Sequence, residues 1–183
     1  MNKPIVLVDL FRTITKSVSE KLTAQLKLVD PLIDGVHYKH GHPLEILEIL
    51  DELAKGITTK TSRYPLIGLF QDIPESIDVQ EGFYGDVSFH LIIARPTDPN
   101  YRAAKRYEVN FKPILYPIYT ALLEEIRLSK FFFLVDNKIP HTKIDRLYWG
   151  REGLYGNEGN VFNDRIDCIE IRDLKLRVKT QNC

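Results

Sequence analysis

Apolar residues recur at three- and four-residue steps through the first thirty positions: Leu7, Phe11, Ile14, Val18, Leu22 and Leu26. That spacing lays one stripe along an amphipathic helix over residues 5–28. Lys16, Ser19, Glu20, Lys21 and Lys27 fall largely on the opposite side. Pro4 suits a first-turn position, and Asp30-Pro31 stops the helix. A short strand is expected around Ile33–Tyr38. A second helix is expected over Leu44–Ala54, opened by Pro43 and closed near Gly56.

The period then changes. Tyr64–Phe70 is apolar on both faces, as a central strand is, with Pro65 at its start. The stretch from Asp72 to Glu81 carries four acids and reads as a solvated loop or hairpin. Val87, Phe89, Leu91 and Ile93 alternate as a strand that Pro96 and Pro99 end. Tyr101–Arg106 reads as a helical turn. Phe111–Leu128 reads as the main amphipathic helix, burying Ile114, Leu115, Ile118, Leu122 and Ile126. Pro113 fits its first turn, whereas Pro117 demands either a start at Tyr116 or a kink.

Phe131–Val135 reads as a short strand before a turn at Asp136-Asn137-Lys138. A long irregular loop is expected over 136–162, rich in glycine, and loops of that length in compact domains are usually functional. Near the C-terminal end Ile169 and Ile171 occupy odd positions, and Leu174, Leu176 and Val178 even ones. A bulge or bend near Asp173 keeps both sets on one face. Together these elements predict a single domain over 1–183 of the α/β (α+β) class. Its mixed, mainly antiparallel sheet packs against two to three helices.

Charge narrows the partners. Lys+Arg and Asp+Glu both number 25, so the formal net charge is zero, which argues against a generic nucleic-acid binder and leaves self-assembly unopposed. Cys168 and Cys183 have no zinc or disulfide spacing and read as free thiols in a reducing compartment. The apolar run Ile5–Leu7 is broken by Asp9 and Arg12, too short and charged for a signal peptide or membrane span. Synthesis in the cytoplasm is expected.

Candidate chemistry is thin. His37, His40 and His42 are spaced closely enough to suggest a zinc or nickel site, against the plainer reading of a polar connector. Asp173-Leu174-Lys175, with Asp164 or Asp167 as a first acid, matches the acid-x-Lys element of a small metal-dependent nuclease, but alternating charged strands produce that pattern by chance. The acids Asp72, Glu75, Asp78 and Glu81 lack calcium-loop spacing, and there is no nucleophile elbow or phosphate loop. No catalytic residue, metal or cofactor is assigned. Tyrosine and tryptophan are enriched at interfaces. Tyr148 and Trp149 are the leading candidates, with Tyr155 and Tyr84 beside them. Arg172, Lys175 and Arg177 offer a basic stripe on the last strand.

Several segments resemble the head–tail joining or tail-terminator (tail-completion) proteins of tailed phages. They are Tyr64-Pro-Leu-Ile-Gly-Leu-Phe-Gln-Asp, Val87–Ala94 followed by Thr97-Asp98-Pro99-Asn100-Tyr101, Phe111-Lys-Pro-Ile-Leu-Tyr-Pro-Ile-Tyr119, Asn163-Asp-Arg-Ile-Asp167, and Gly41-His-Pro-Leu-Glu-Ile46. The resemblance implies a tail-terminator-like fold and a structural, non-enzymatic virion protein of the neck or tail, made in the host bacterial cytoplasm. It implies a six-fold or twelve-fold ring of copies next to portal, connector or tail-tube proteins. DNA then passes through the lumen without sequence-specific contact, and no membrane is involved. The rivals are the nuclease and an adaptor outside any virion.

Overall fold

In the computed structural model, residues 6–42, 45–46, 64–78, 84–98, 100–149 and 166–179 are described. Helix α1 (Leu7–Val29) forms where the apolar stripe predicts it, burying Leu10, Phe11, Ile14, Val18 and Leu26. Asp9 in its first turn and Lys27 in its last complement the helix dipole. The helix stops at Asp30, whose extended backbone still donates its N–H to the Leu26 carbonyl. The Asp30 carboxylate then accepts from the Leu32 N–H.

The first strand comes later than the alternation suggests: β1 is His37–Gly41, not Ile33–Tyr38. Ile33 closes a turn onto Asp30, and the Val36 N–H is held by Ser19 Oγ at 2.9 Å. Those residues therefore carry the chain from helix to sheet and bury Ile33 and Val36 without pairing. Of the helix expected over Leu44–Ala54, Glu45 and Ile46 are helical, and the remainder lies outside the described residues.

Strand β2 (Leu66–Phe70) is buried throughout and pairs parallel with β1. The acidic stretch contains β3 (Glu75–Asp78), which pairs antiparallel with β4 (Tyr84–Pro96), so the hairpin alternative fits better than the loop. The main helical arm starts earlier than Phe111. It comprises α2 (Ala103–Arg106), a π-helical stretch (Tyr107–Leu115) and α3 (Tyr116–Leu128). Proline has no N–H, and its ring clashes with the carbonyl one α-turn back. Here Pro113 sits in the widened stretch and Pro117 in the first turn of α3. The Tyr116 N–H donates to the Phe111 carbonyl, five residues back, so the helix carries both prolines without breaking.

Beyond the arm, β5 is only Phe132–Phe133, followed by a 3-10 turn at Val135–Asn137 with Asp136 and Asn137 in the left-handed region. The expected irregular loop 136–162 is corrected in part: Thr142–Trp149 is strand β6, paired antiparallel with β7 (Ile166–Lys179). Residues 150–165 lie outside the described residues. The parity change near Asp173 is a bulge. Phe89 faces Leu174 and Leu91 faces Ile171, so His90 alone spans Arg172 and Asp173, and Asp173 has φ 52°.

The strand order is β1-β2-β4-β7-β5, with β3 added alongside β4 and β6 alongside β7. The fold is α+β, two helices on a curled, mixed, mostly antiparallel sheet. β7 is interior, paired with β4 on one side and with β5 and β6 on the other. The main core lies between sheet and helices. Phe11 meets Phe89 edge-on at 4.7 Å, and Phe132 lies 6.0 Å from Phe11.

Candidate interaction face

Helices cover one face of the sheet, and alternation along β4 and β7 decides what the other presents. Ile169, Ile171, Leu174, Leu176 and Val178 all join the helix-side core. Cys168, Glu170, Arg172, Lys175 and Arg177 therefore turn outward on either side of the bulge. This outer face has three zones.

The first is apolar. Tyr64, Leu66, Phe70, Ile92, Ala94 and Cys168 pack together with Ile46. A Cβ on Gly68 would come 2.9 Å from Ile92 Cγ1, so glycine there permits the close approach of β2 and β4. Burial pushes the Cys168 thiol well above its ordinary range, which makes it inert.

The second zone is ionic. The Phe70 ring meets His90 edge-on at 4.5 Å, and His90 Nε2 lies 2.9 Å from a carboxylate oxygen of Glu170. Arg146 Nε donates to the other oxygen at 2.5 Å, and Arg172 Nε donates at 2.7 Å. Glu170 is 1% exposed. Burial works to raise its carboxyl, but the hydrogen bonds from His90, Arg146 and Arg172 overcome it and bring the group to about 2 from the usual 4.5.

The third zone is a groove of about 470 Å³ at the β5 end. Pro74, Phe133, Val135 and Pro140 give it an apolar lining, and Asp86, Lys175 and Arg177 border it. Phe133 and Val135 are 60% and 57% exposed. Arg177 Nε donates to Asp86 at 2.9 Å and holds that carboxyl below its ordinary range.

The sequence-derived candidates divide accordingly. Arg172, Lys175 and Arg177 do share one face, although Arg172 and Arg177 are engaged by acids. Tyr148 and Trp149 end β6, where the backbone of Trp149 pairs with Ile166, and Tyr84 begins β4 opposite Lys179. Tyr155 lies outside the described residues. Other tyrosines serve inside the fold. The Tyr116 hydroxyl donates to Asp145 at 2.6 Å, and Tyr119 lies 2.7 Å from His141 Nε2. Lys143 sits 4.6 Å from the Tyr116 ring centre and pairs with Asp145. Burial, then the bond to Asp145, pushes the Tyr116 hydroxyl up. This group fastens β6 to the helical arm. Tyr116 and Tyr119 show the helical spacing in sequence, but their partners, Asp145 on β6 and His141 just before it, lie in the expected loop.

Among the described residues, the proposed chemistries find no assembled centre. His37 and His40 are three residues apart on β1, so they face opposite sides. His37 bonds Asp34 at 2.9 Å, and His40 lies 3.4 Å from Arg12. Among the described residues, no three His, Cys, Asp or Glu side chains are grouped to hold a metal ion. Asp173 is six strand residues from Asp167, roughly 20 Å at about 3.3 Å per residue. Asp167 is fully buried, bound by Arg106 Nη1 at 3.1 Å and Asn110 Nδ2 at 2.7 Å. Asp164 lies outside the described residues. No helix among the described residues is long and apolar enough to cross a membrane. No protein-family model matches the chain, and no curated protein matches it.

Proposed function

We propose that the chain is a structural subunit of a tailed-phage neck, a tail-terminator or head–tail joining protein that forms a ring between head connector and tail. The observation that carries this reading is where the phage-like segments fall. Tyr64–Asp72 supplies β2, Val87–Ala94 the centre of β4, Phe111–Tyr119 the bend into α3, and Ile166-Asp167 the start of β7. β2 pairs with β4, β4 pairs with β7, and Phe111, Ile114 and Leu115 join the same core. These segments build one contiguous platform. A scaffold needs no reacting groups, and the β5 end of the outer face offers the exposed Phe133 and Val135 and charged groups to neighbours.

The partners on this reading are copies of the chain in a six- or twelve-fold ring and the adjacent portal, connector or tail-tube proteins. DNA crosses the lumen without sequence-specific contact. Native mass spectrometry of the concentrated protein, with negative-stain microscopy of particles made with and without it, tests the reading. Closed rings and particles with unjoined heads and tails are expected. A chain that stays monomeric and never accompanies particles overturns it. Mg²⁺-dependent DNA cleavage that disappears in Asp173→Ala would replace it with the nuclease.

A further inference from the structure

Strand register builds the groove at the β5 end. Residues directly opposite on paired strands share a face. Ser76 on β3 faces Asp86 on β4, Asp86 faces Arg177 on β7, and Arg177 faces Phe133 on β5. One row of side chains therefore crosses four strands. Two residues along, Ser88 faces Lys175. Pro74 and Pro140 flank this second row, where their carbonyls accept from the Ser88 and Lys175 N–H groups. Phe133, Val135 and Pro140 make an apolar wall on one side and Pro74 stands on the other, with the polar side chains as floor between them.

The polar groups of this floor do not satisfy one another. Arg177 grips Asp86 through two hydrogen bonds, at 2.9 and 3.2 Å, which engages the acid of the floor. Glu75 lies opposite Val87, a core residue, so it takes a helix-side position. Asp136 and Asp173 are each two residues from Lys138 and Lys175 in sequence, but they do not line the groove. Among the described residues no acid pairs with Lys138 or Lys175, and the Ser76 and Ser88 hydroxyls have no hydrogen-bond partner. Two ammonium groups and two hydroxyls are left beside an apolar wall.

That combination suits one kind of ligand. About 470 Å³ is within the range of small-molecule sites, which set a few polar groups in an apolar lining. The donors call for an anion, which a lysine meets as a compact point charge. The wall calls for an apolar body on the same molecule. A peptide laid along the floor would bring backbone N–H groups that need acceptors, and Asp86 is already taken. We infer that the groove binds a small amphipathic carboxylate, an aryl or branched-alkyl acid. Its carboxylate is held by Lys138 and Lys175 beside Ser88, and its body packs on Phe133 and Val135. The site needs one folded chain and is independent of the ring reading.

Titration of the isotope-labelled full chain, followed through its amide resonances, tests the site with phenylbutyrate, its neutral amide and the corresponding amine. Phenylbutyrate should shift groove amides saturably, with a dissociation constant on the order of a millimolar. The neutral amide should bind about tenfold more weakly, and the amine should not bind. Lys138→Gln with Lys175→Gln should bring acid and amide to equal affinity. Phe133→Ala with Val135→Ala should weaken both alike. All four sites are exposed, and the dispersion of the amide spectrum reports whether each variant folds. If the double lysine variant does not, Lys175→Gln alone replaces it. A capped phenylalanyl-aspartyl dipeptide carries the same groups on a main chain and should bind more weakly than the free acid. Tighter binding of the dipeptide makes the site a peptide site and overturns the inference. So does a titration without saturation, shifts confined to other surfaces, equal affinity of wild type for acid and amide, or a preference for the acid that survives the lysine substitutions.

Discussion

Three residues apart on β7, Asp167 and Glu170 are both carboxylates withdrawn from water, yet their settings differ. Asp167 faces the helices. Its partners Arg106 and Asn110 come from one helical arm, and Arg106 is itself buried and further held by the Thr97 hydroxyl and the Asp98 and Tyr101 carbonyls. Glu170 faces the outer side, and its partners come from three strands: His90 on β4, Arg146 on β6 and Arg172 on β7 itself. Those side chains are 35%, 19% and 47% exposed. The first carboxylate ties two layers together in a closed setting. The second holds adjacent strands while its partner side chains remain partly open to solvent and neighbours.

The largest effect should come from Asp167→Ala. It leaves the Arg106 charge buried beside Asn110, and breaking a buried pair costs about 3–5 kcal/mol. Urea unfolding measures it, and a loss under about 1 kcal/mol would place Asp167 among ordinary surface ions. The two faces are also compared by a pair of truncations. Phe11→Ala opens a cavity between Phe89 and Phe132 and should cost about 3–5 kcal/mol. Phe133→Ala, on the outer face, should cost under about 1 kcal/mol. Equal costs would mean that the outer face is packed like the core.

Glu170→Gln should cost about 1.5–3 kcal/mol at neutral pH, the range for hydrogen bonds to charged groups. The sign of its pH dependence follows from the depressed carboxyl. Its folded-state value is about 2 and its ordinary value 4.5, so its contribution is present above pH 4.5 and is lost as pH falls through about 2. The stability gap between wild type and Glu170→Gln should shrink over that window. A gap that stays constant there would show that the hydrogen bonds from His90, Arg146 and Arg172 do not hold the ionised form. The smallest effect belongs to Arg177→Ala, which removes a pair with a largely exposed Asp86. Under about 1 kcal/mol is expected, falling further with added salt.

The elements with an uninterrupted period were legible in sequence. α1 shows a clean stripe, β2 and β4 show apolar runs of strand length, and the odd-to-even switch along β7 announces the bulge at Asp173. Where the period is masked, sequence reading fails. Thr142–Trp149 is flanked by proline and glycine, and its alternation is blurred by Tyr148-Trp149 beside Leu147, so β6 passes for loop. The helical turn expected over Tyr101–Arg106 is α2, but its π-helical continuation through Tyr107–Asn110 into the main helix is hidden because two prolines follow. The candidate face was half visible, because the parity of β7 groups Arg172, Lys175 and Arg177. Asp167 stands out in sequence only as a possible nuclease acid, and the ion-pair roles of Asp167 and Glu170 are not legible, because their decisive partners lie 57 to 80 residues away for Asn110, Arg106 and His90. Local patterns do not encode such distances.

The extra residue at Arg172-Asp173 makes one position unusually sensitive to length. Deleting Asp173 would shorten the chain by a single unit, yet it would rotate everything after it by half a turn. Leu174, Leu176 and Val178 would be carried out to water, and Lys175 and Arg177 would be driven toward Phe11 and Phe89. A loop absorbs such a loss by slackening. Here the deletion acts as a frameshift in three dimensions, and the last strand has no partially correct state in which to settle.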